Sequence, residues 1–298
     1  MLSILIPTYN YNISNLVQEV HQQVCKAHVA FEIICFDDAS SIYTEHNKRT
    51  IESLAHSRII ISKDNVGRVK ARQSLSNQAK FKWLLFLDAD VIPKSDTFIT
   101  DYIKNATSLN YDVFFGGFAY ALNLQKKEST LRWKYGRKFE QVDASKRNQS
   151  PYSVIISANF LIKKSIFDKI NLNFIRKSYG MDNLFAAYLK ENNVKVFHLN
   201  NEVYHVGVES NKTYLNKVEE AINTLLWAYN HDKMTAHENK LLLTFIKIKK
   251  WKLNRFTAFL YRFLKFPIKK NLLGTNPNLY LLQFYKLFYI CNKDLNYK

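Results

Sequence analysis

Hydrophobic residues in this chain fall in short unbroken blocks, separated by longer stretches in which apolar positions are spaced by three or four. The blocks at 2–6, 32–36, 58–61, 83–87 and 113–115 are apolar or β-branched and have the length of buried strands. Between them, 13–27 and 69–79 have helical character. This alternation predicts βαβ units and an α/β fold, a mostly parallel central sheet flanked by helices. After residue 116 the pattern loosens. A polar, basic loop at 125–150 precedes further strand candidates at 153–162 and 194–198, and helices are predicted over 184–192 and 213–229. Near the C-terminus Phe256, Phe259, Leu260, Phe263 and Leu264 recur at i, i+3, i+4, i+7 and i+8. They form the apolar stripe of an amphipathic helix, surrounded by Lys252, Arg255, Arg262 and Lys265.

With 298 residues and 47% hydrophobic content the chain can bury a large core, so one large domain with an appendage, or two domains, is predicted. The net charge of +18 changes the picture through its distribution: residues 239–293 hold twelve Lys or Arg and no Asp or Glu. An electropositive, aromatic segment predicts an anionic partner, either membrane headgroups or nucleic acid. The regular stripe favours insertion into a membrane interface and makes nucleic acid the weaker choice. Packing of the stripe on the rest of the chain, or on a second subunit of a homo-oligomer, is the structural alternative. No run of about 18 apolar residues occurs, so no spanning helix is predicted. The chain opens directly on a strand-like block, and export through a signal peptide is not expected. Cys25, Cys35 and Cys291 are widely spaced and lack metal or CxxC spacing, which suits a reducing compartment and predicts no chemical role.

Ligands of parallel sheets gather beyond the carboxyl ends of the strands. Three such ends carry suggestive residues: Pro7-Thr8-Tyr9-Asn10, Asp37-Asp38-Ala39-Ser40 and Asp88-Ala89-Asp90. In an extended chain residues i and i+2 share a side, so Asp88 and Asp90 can face one hard cation such as Mg²⁺ or Mn²⁺ holding a diphosphate. They can equally be turn formers or helix caps. The Tyr9 ring can stack on a nucleobase with the Thr8 hydroxyl at its edge, or the segment can be a simple turn. Arg68 and Arg72, four apart on a helix opening near Gly67, can approach a diphosphate together or form a solvated basic face. Asp182, just before a predicted helix, is either a general base or an N-cap. A late histidine, His205, ends the Val203-Tyr204-His205 block and can equally be a core group.

Taken in order, Ser3 to Asn10, Glu32 to Ser40, Asn65-Val66-Gly67-Arg68 with Ala71-Arg72, the Asp88-Ala89-Asp90 triplet and Tyr179-Gly180-Met181-Asp182 resemble the GT-A fold, family 2 nucleotide-sugar glycosyltransferases over about residues 2–230. The resemblance implies a Rossmann-like catalytic domain at 1–232, with a nucleotide-binding half (1–115) and an acceptor half (116–232), followed by a basic helical extension at 233–298. It implies metal-dependent inverting transfer of a hexosyl or hexosaminyl group from a nucleoside-diphosphate sugar, UDP-linked by expectation. The acceptor would be a glycan or lipid-linked sugar in cell-surface polysaccharide or lipopolysaccharide synthesis. The enzyme would be cytoplasmic and peripheral on the inner face of the membrane. By residue, it assigns Pro7, Thr8, Tyr9, Asp38, Arg68, Arg72 and Asp88 to the nucleotide, with Asp38 accepting from the base and Asp37 left to structure. Asp90, Asp88 and His205 go to a divalent metal (Mn²⁺ or Mg²⁺), and Asp182 becomes the base. Most relatives carry Glu-Asp where this chain has Met181-Asp182. Trp133, Tyr135 and Arg137 sit where acceptor loops lie and are left unassigned. A nucleotidyltransferase is the second enzymatic reading, disfavoured because no glycine precedes Gly67 to form a phosphate loop. A nucleic-acid-binding protein is the non-catalytic one.

Overall fold

The computed structural model describes residues 1–122, 125–172, 177–231 and 233–297. The domain boundary drawn at residue 232 therefore falls on a residue outside those described. In the first half, β1 (Leu2–Thr8), β2 (Phe31–Asp37), β3 (Ser57–Ile61) and β4 (Trp83–Leu87) are linked by α1 (Ser14–Lys26), α2 (Thr44–Glu52) and α3 (Arg68–Gln78). These four strands are parallel, in the order β3-β2-β1-β4. Then follow β5 (Val91–Pro93), α4 (Phe98–Ser108), β6 (Val113–Phe115), β7 (Phe118–Ala119), α5 (Thr130–Tyr135), a π-helical turn (Gly136–Glu140) and α6 (Ala144–Asn148). After them come β8 (Asn159–Lys163), α7 (Lys164–Asn171), α8 (Asp182–Glu191), β9 (Val196–His198), β10 (Val203–His205) and α9 (Asn211–Asn230). The seven-stranded sheet runs β3-β2-β1-β4-β8-β6-β9, with β8 antiparallel to both its neighbours. A small second sheet, β5-β10-β7, stands beside it.

The unbroken apolar blocks have a direct cause: the sheet is covered on both faces. Leu5, Ile34, Phe36, Leu84 and Phe86 point into one core, and Ile4, Ile6, Ile33, Cys35, Leu85 and Leu87 into the other. Alternation within each strand distributes side chains between two buried layers, and the polar positions that fall inside, Ser3 and Glu32, bond to each other at 2.7 Å. In register, Leu5 sits between Ile34 and Phe86, which places the ends of β1, β2 and β4 along one edge.

The strand expected at 153–162 is shorter and later. β8 begins only at Asn159, and 151–158 is turn and irregular chain. Beyond the Leu87–Asn159 pair the chain bends away, and its carbonyls serve other donors: Ala158 accepts from Asp88 N–H at 3.0 Å and Ser157 from Arg72 at 2.7 Å. The apolar Val154 to Ile156 run lines a cleft in place of pairing. The loop expected at 125–150 folds into α5, the π-turn and α6. Helix α2 was not legible in sequence, because it buries only Asn47 and Ile51.

The C-terminal segment forms α10 (Lys240–Lys250), α11 (Asn254–Leu273) and α12 (Leu279–Leu295). α11 and α12 pair with each other, and α12 packs on α9 and α5. Leu242, Phe245, Ala258, Tyr261, Ile268, Leu272, Leu282 and Tyr285 join the same core that contains Leu5 and Phe86. Glu219 of α9 anchors the pair, 2.7 Å from Lys269 Nζ and accepting from the Tyr285 hydroxyl at 2.5 Å. The stripe anticipated in sequence is not the packed face. Phe256, Phe259 and Phe263 are more than half exposed, and Ala258, Tyr261, Ile268 and Leu272 supply the buried side. Among the described residues no helix is long and apolar enough to cross a membrane.

Candidate active site

The edge formed by β1, β2 and β4 meets the start of α3. Gly67 precedes that helix at φ +83°, a backbone conformation that favours glycine, and an added Cβ there would strike the Lys177 side chain. Its N–H and that of Val66 are held by the two oxygens of Asp38, at 2.8 and 2.6 Å. Asp38 thus shapes the turn that launches Arg68. Asp37, fully buried, accepts from Ser40 N–H and the Thr44 hydroxyl, both at 2.8 Å. The loop after β1 is tied to the same region, since Asn10 N–H donates to Ser40 Oγ and Asn10 Oδ1 accepts from Ser41 N–H, each at 2.8 Å. Pro7 stays within β1, and the buried Thr8 hydroxyl donates to the Tyr11 carbonyl. Tyr9 projects from this tied base with its ring exposed at the mouth of a cavity shared with Gly67, Arg68 and Arg72.

At the end of β4 the two carboxylates diverge. Asp88 Oδ1 pairs with Arg72 Nη2 at 2.7 Å, and Asp88 Oδ2 lies 4.0 Å from Arg68 Nη1. Arg72 is buried, lies over the Phe86 and Phe160 rings, and donates also to the Ser157 carbonyl. Arg68 is half-exposed, its charge held by Asp88 first and by Asp182 and Asp90 less strongly, which outweigh its burial and raise its pKa. Asp90 faces β10 instead. Its Oδ2 is 3.2 Å from His205 Nε2, and its carbonyl accepts from Val206 N–H at 2.9 Å. Burial alone would raise the Asp90 carboxyl; the His205 hydrogen bond and the charges of His205 and Arg68 more than offset it, leaving it lowered. His205 is buried between Phe118 and Tyr120, with no hydrogen-bond partner for Nδ1 among the described residues. Gly207 completes the cradle, because a Cβ there would lie 2.3 Å from Asp90 Oδ2.

Asp182 is the first residue of α8, where a carboxylate favours the helix N-terminus, and Met181 ahead of it makes no side-chain cap. The Asp182 carboxylate accepts from the Ser157 hydroxyl at 2.7 Å. Gly180, at φ +88° with its Cβ position 2.7 Å from Ala221 Cα, lets the chain turn tightly against α9 and delivers Asp182 to the cleft. Met181, which stands where an acidic neighbour was looked for, is buried in the core.

Arg68, Asp88, Asp90, Asp182 and His205 line one cavity, and Arg68, Tyr179, Asp182 and Lys217 also line the adjoining cavity that holds Tyr9. The structure thus brings Tyr9, Arg68, Asp88, Asp90, His205 and Asp182 to one continuous cleft. Asp38, Pro7 and Thr8 stand behind it. Among the described residues no three His, Cys, Asp or Glu side chains are gathered into a ready metal nest. Asp90 and His205 come together as a pair, and Asp88 is engaged by arginine.

Sequence reasoning missed Glu140, Arg132 and Tyr120 on the far wall of the cleft. Arg132 Nη1 is 2.9 Å from Glu140 Oε2, and Glu140 also accepts from the Tyr120 hydroxyl. Burial would raise the Glu140 carboxyl, but Arg132 and Tyr120 hold it below its ordinary value. The π-turn aims Glu140 into the cleft, and Gly136 opens that turn because the Tyr120 ring leaves no room for a Cβ. That glycine was the available signal.

A parallel sheet with an antiparallel insertion, carrying acidic residues at the end of its fourth strand, is the architecture of a GT-A glycosyltransferase. The chain belongs to glycosyl transferase family 2, whose model matches residues 3–171, and it is a glycosyltransferase. A comparison with characterised protein sequences gives no match. Among solved structures it is similar to a mannosyltransferase from Pyrobaculum calidifontis in complex with GDP-Man and Mn²⁺ (10% identity, TM-score 0.58, 100% of this chain and 88% of that one). It is also similar to S. aureus TarS 1-349 in complex with UDP-GlcNAc (14%, TM-score 0.53, 99% and 91%). A third likeness is to glucosyl-3-phosphoglycerate synthase from Mycobacterium tuberculosis with Mn²⁺, UDP and glucosyl-3-phosphoglycerate (11%, TM-score 0.52, 80% and 81%). Family membership sets aside the nucleotidyltransferase and the non-catalytic nucleic-acid readings.

Proposed function

We propose that the protein is a metal-dependent inverting glycosyltransferase that moves a sugar from a nucleoside-diphosphate donor, UDP-linked, to a hydroxyl of a glycan or lipid-linked acceptor in cell-surface polysaccharide synthesis. The observation that carries this reading is that Asp182 lines the same cleft as Arg68, Asp88 and Asp90. Tyr9 offers a face for the nucleobase at the open end, and Asp88, fixed by Arg72, is placed for the ribose. Arg68 then lies beside the diphosphate, where its charge is needed as the leaving group departs.

Asp90 and His205 fit a divalent cation: one carboxylate kept ionised, one imidazole held at 3.2 Å from it, and a glycine that leaves space beside the carboxylate. Two protein donors suit an ion that takes its remaining positions from the diphosphate and water. When bound, the cation would neutralise the diphosphate. Bound Mn²⁺ in two of the similar structures supports the same reading.

The chain's own part in the step falls to Asp182. Its carboxylate takes the proton of the acceptor hydroxyl while that oxygen bonds to the anomeric carbon. The C–O bond to the diphosphate breaks on the opposite face, and its electron pair leaves on the phosphate oxygen. Ser157, donating to Asp182, orients the carboxylate. One experiment with two arms tests this. With donor and acceptor supplied, chelation should abolish transfer, and Asp182→Asn should lower kcat by about 10²–10⁴-fold with nucleotide binding retained. Full activity in chelator refutes the metal assignment, and an active Asp182→Asn enzyme refutes the base.

A further inference from the structure

We propose that the outward face of α11 is a docking surface for an anionic lipid bilayer. The helix has two apolar sides. One, Ala258, Tyr261, Ile268 and Leu272, is buried against the protein. The other, Phe256, Phe259, Phe263 and Phe266, is 61%, 53%, 64% and 71% exposed. The spacing i, i+3, i+7, i+10 puts these four rings in one row along the helix, and Phe259 and Phe263 touch with centroids 4.7 Å apart. A continuous row of exposed phenylalanines on a water-facing helix marks an interaction surface. Trp251 and Leu253, just before the helix, are exposed as well.

Charge selects the partner. Arg255, Arg262 and Lys270 are exposed on the same helix, Lys250 and Lys252 stand exposed just ahead of it, and after Glu238 the chain carries a single acidic residue, Asp294, which is paired with Lys249 at 2.8 Å. A second copy of the chain would bring these bases against like charges. Nucleic acid stacks its bases on separate aromatic platforms, whereas a row of exposed rings along one helix forms a ridge suited to the headgroup–acyl boundary. Bases flanking apolar rings are the chemistry of an interfacial helix on anionic lipid, the surface presented by the cytoplasmic leaflet.

The docking surface is coupled to the cleft. α11 pairs with α12, and α12 packs on α5, where Lys286 Nζ sits 4.2 Å from the Tyr135 ring centroid. Tyr135 lines the cavity that holds Asp182 and Glu140. Binding through α11 therefore fixes the acceptor wall relative to the bilayer, which fits an acceptor carried on a lipid. The docking itself does not depend on the catalytic reading.

The test is flotation of the full-length protein with phosphatidylcholine vesicles, with and without phosphatidylglycerol. The protein should float with the anionic vesicles and stay behind with the neutral ones. Phe259→Ser/Phe263→Ser should lower partitioning by at least about tenfold with an unchanged melting curve, as should Arg255→Glu/Arg262→Glu. Absence of flotation with anionic vesicles overturns the proposal, as does equal flotation of wild type and the phenylalanine variant. A concentration-dependent dimer abolished by the same phenylalanine substitutions overturns it in favour of self-association. An RNA gel shift lost in both variants, without flotation, overturns it in favour of nucleic acid.

Discussion

At the scale of single residues, Arg72 shows how a charge can be both buried and useful. Its guanidinium reaches Asp88 and the Ser157 carbonyl and rests over two phenylalanine rings, so it joins β4, α3 and the bend before β8. Removing one partner of such a pair leaves the other charge desolvated. Arg72→Met should cost about 3 kcal/mol of stability, read as a lower urea midpoint. Arg72→Lys should recover only part, because a compact ammonium cannot rest over the Phe86 and Phe160 rings as the flat guanidinium does. His198 makes a second residue-level case. Burial is the main reason its pKa is pushed down to about 4, the Arg147 charge adding to it and the Pro151 carbonyl opposing. It is therefore neutral in the fold, accepting from Arg147 at 2.9 Å and donating to Pro151 at 2.8 Å. The unfolded chain takes up a proton near pH 6.5 and the folded one only near 4, so stability is full above 6.5 and falls as pH drops through that window, by up to about 3 kcal/mol. Urea titrations between those pH values should show the slope, and His198→Gln should flatten it.

At the scale of elements, the Asp90–His205 pair depends on β10 meeting β5. The register sets His205 opposite Val91, next to Asp90, and the chain then returns over the carboxylate through Val206 and Gly207. Gly207 is the narrow point. Gly207→Ala would press Asp90 from 2.3 Å and shift it, and displacements near 1 Å at reacting groups cost about 10²-fold in rate. We expect kcat to fall on that scale and the Mn²⁺ concentration for half activity to rise, checked by metal titration alongside a melting curve that stays close to wild type. The small strands β5, β7 and β10 were not legible in sequence. Two or three residues carry no period, and only pairing between segments 85 to 114 positions apart makes them strands. The same cause hid the true start of β8, where an apolar run continues through Val154 to Ile156 but the hydrogen-bonding partner ends.

At the scale of the whole molecule, the C-terminal helices are part of the main core and at the same time present a second apolar row to solvent. One extension thus braces the cleft wall that carries Tyr135 through α12 and offers α11 outward. The order of apolar blocks was enough to determine the parallel half-sheet and to place Tyr9, Asp38 and the Asp88–Asp90 triplet at its edge, because alternation and strand order are local properties. What the Asp182 side chain faces was open until the fold set it beside Ser157 in the cleft. Likewise, periodicity marked α11 as amphipathic but could not say which apolar side is buried. A helix with hydrophobic residues on opposite faces has no preferred side of its own. Only the surfaces supplied by α9 and α12 decide it, and those come from residues distant in the chain.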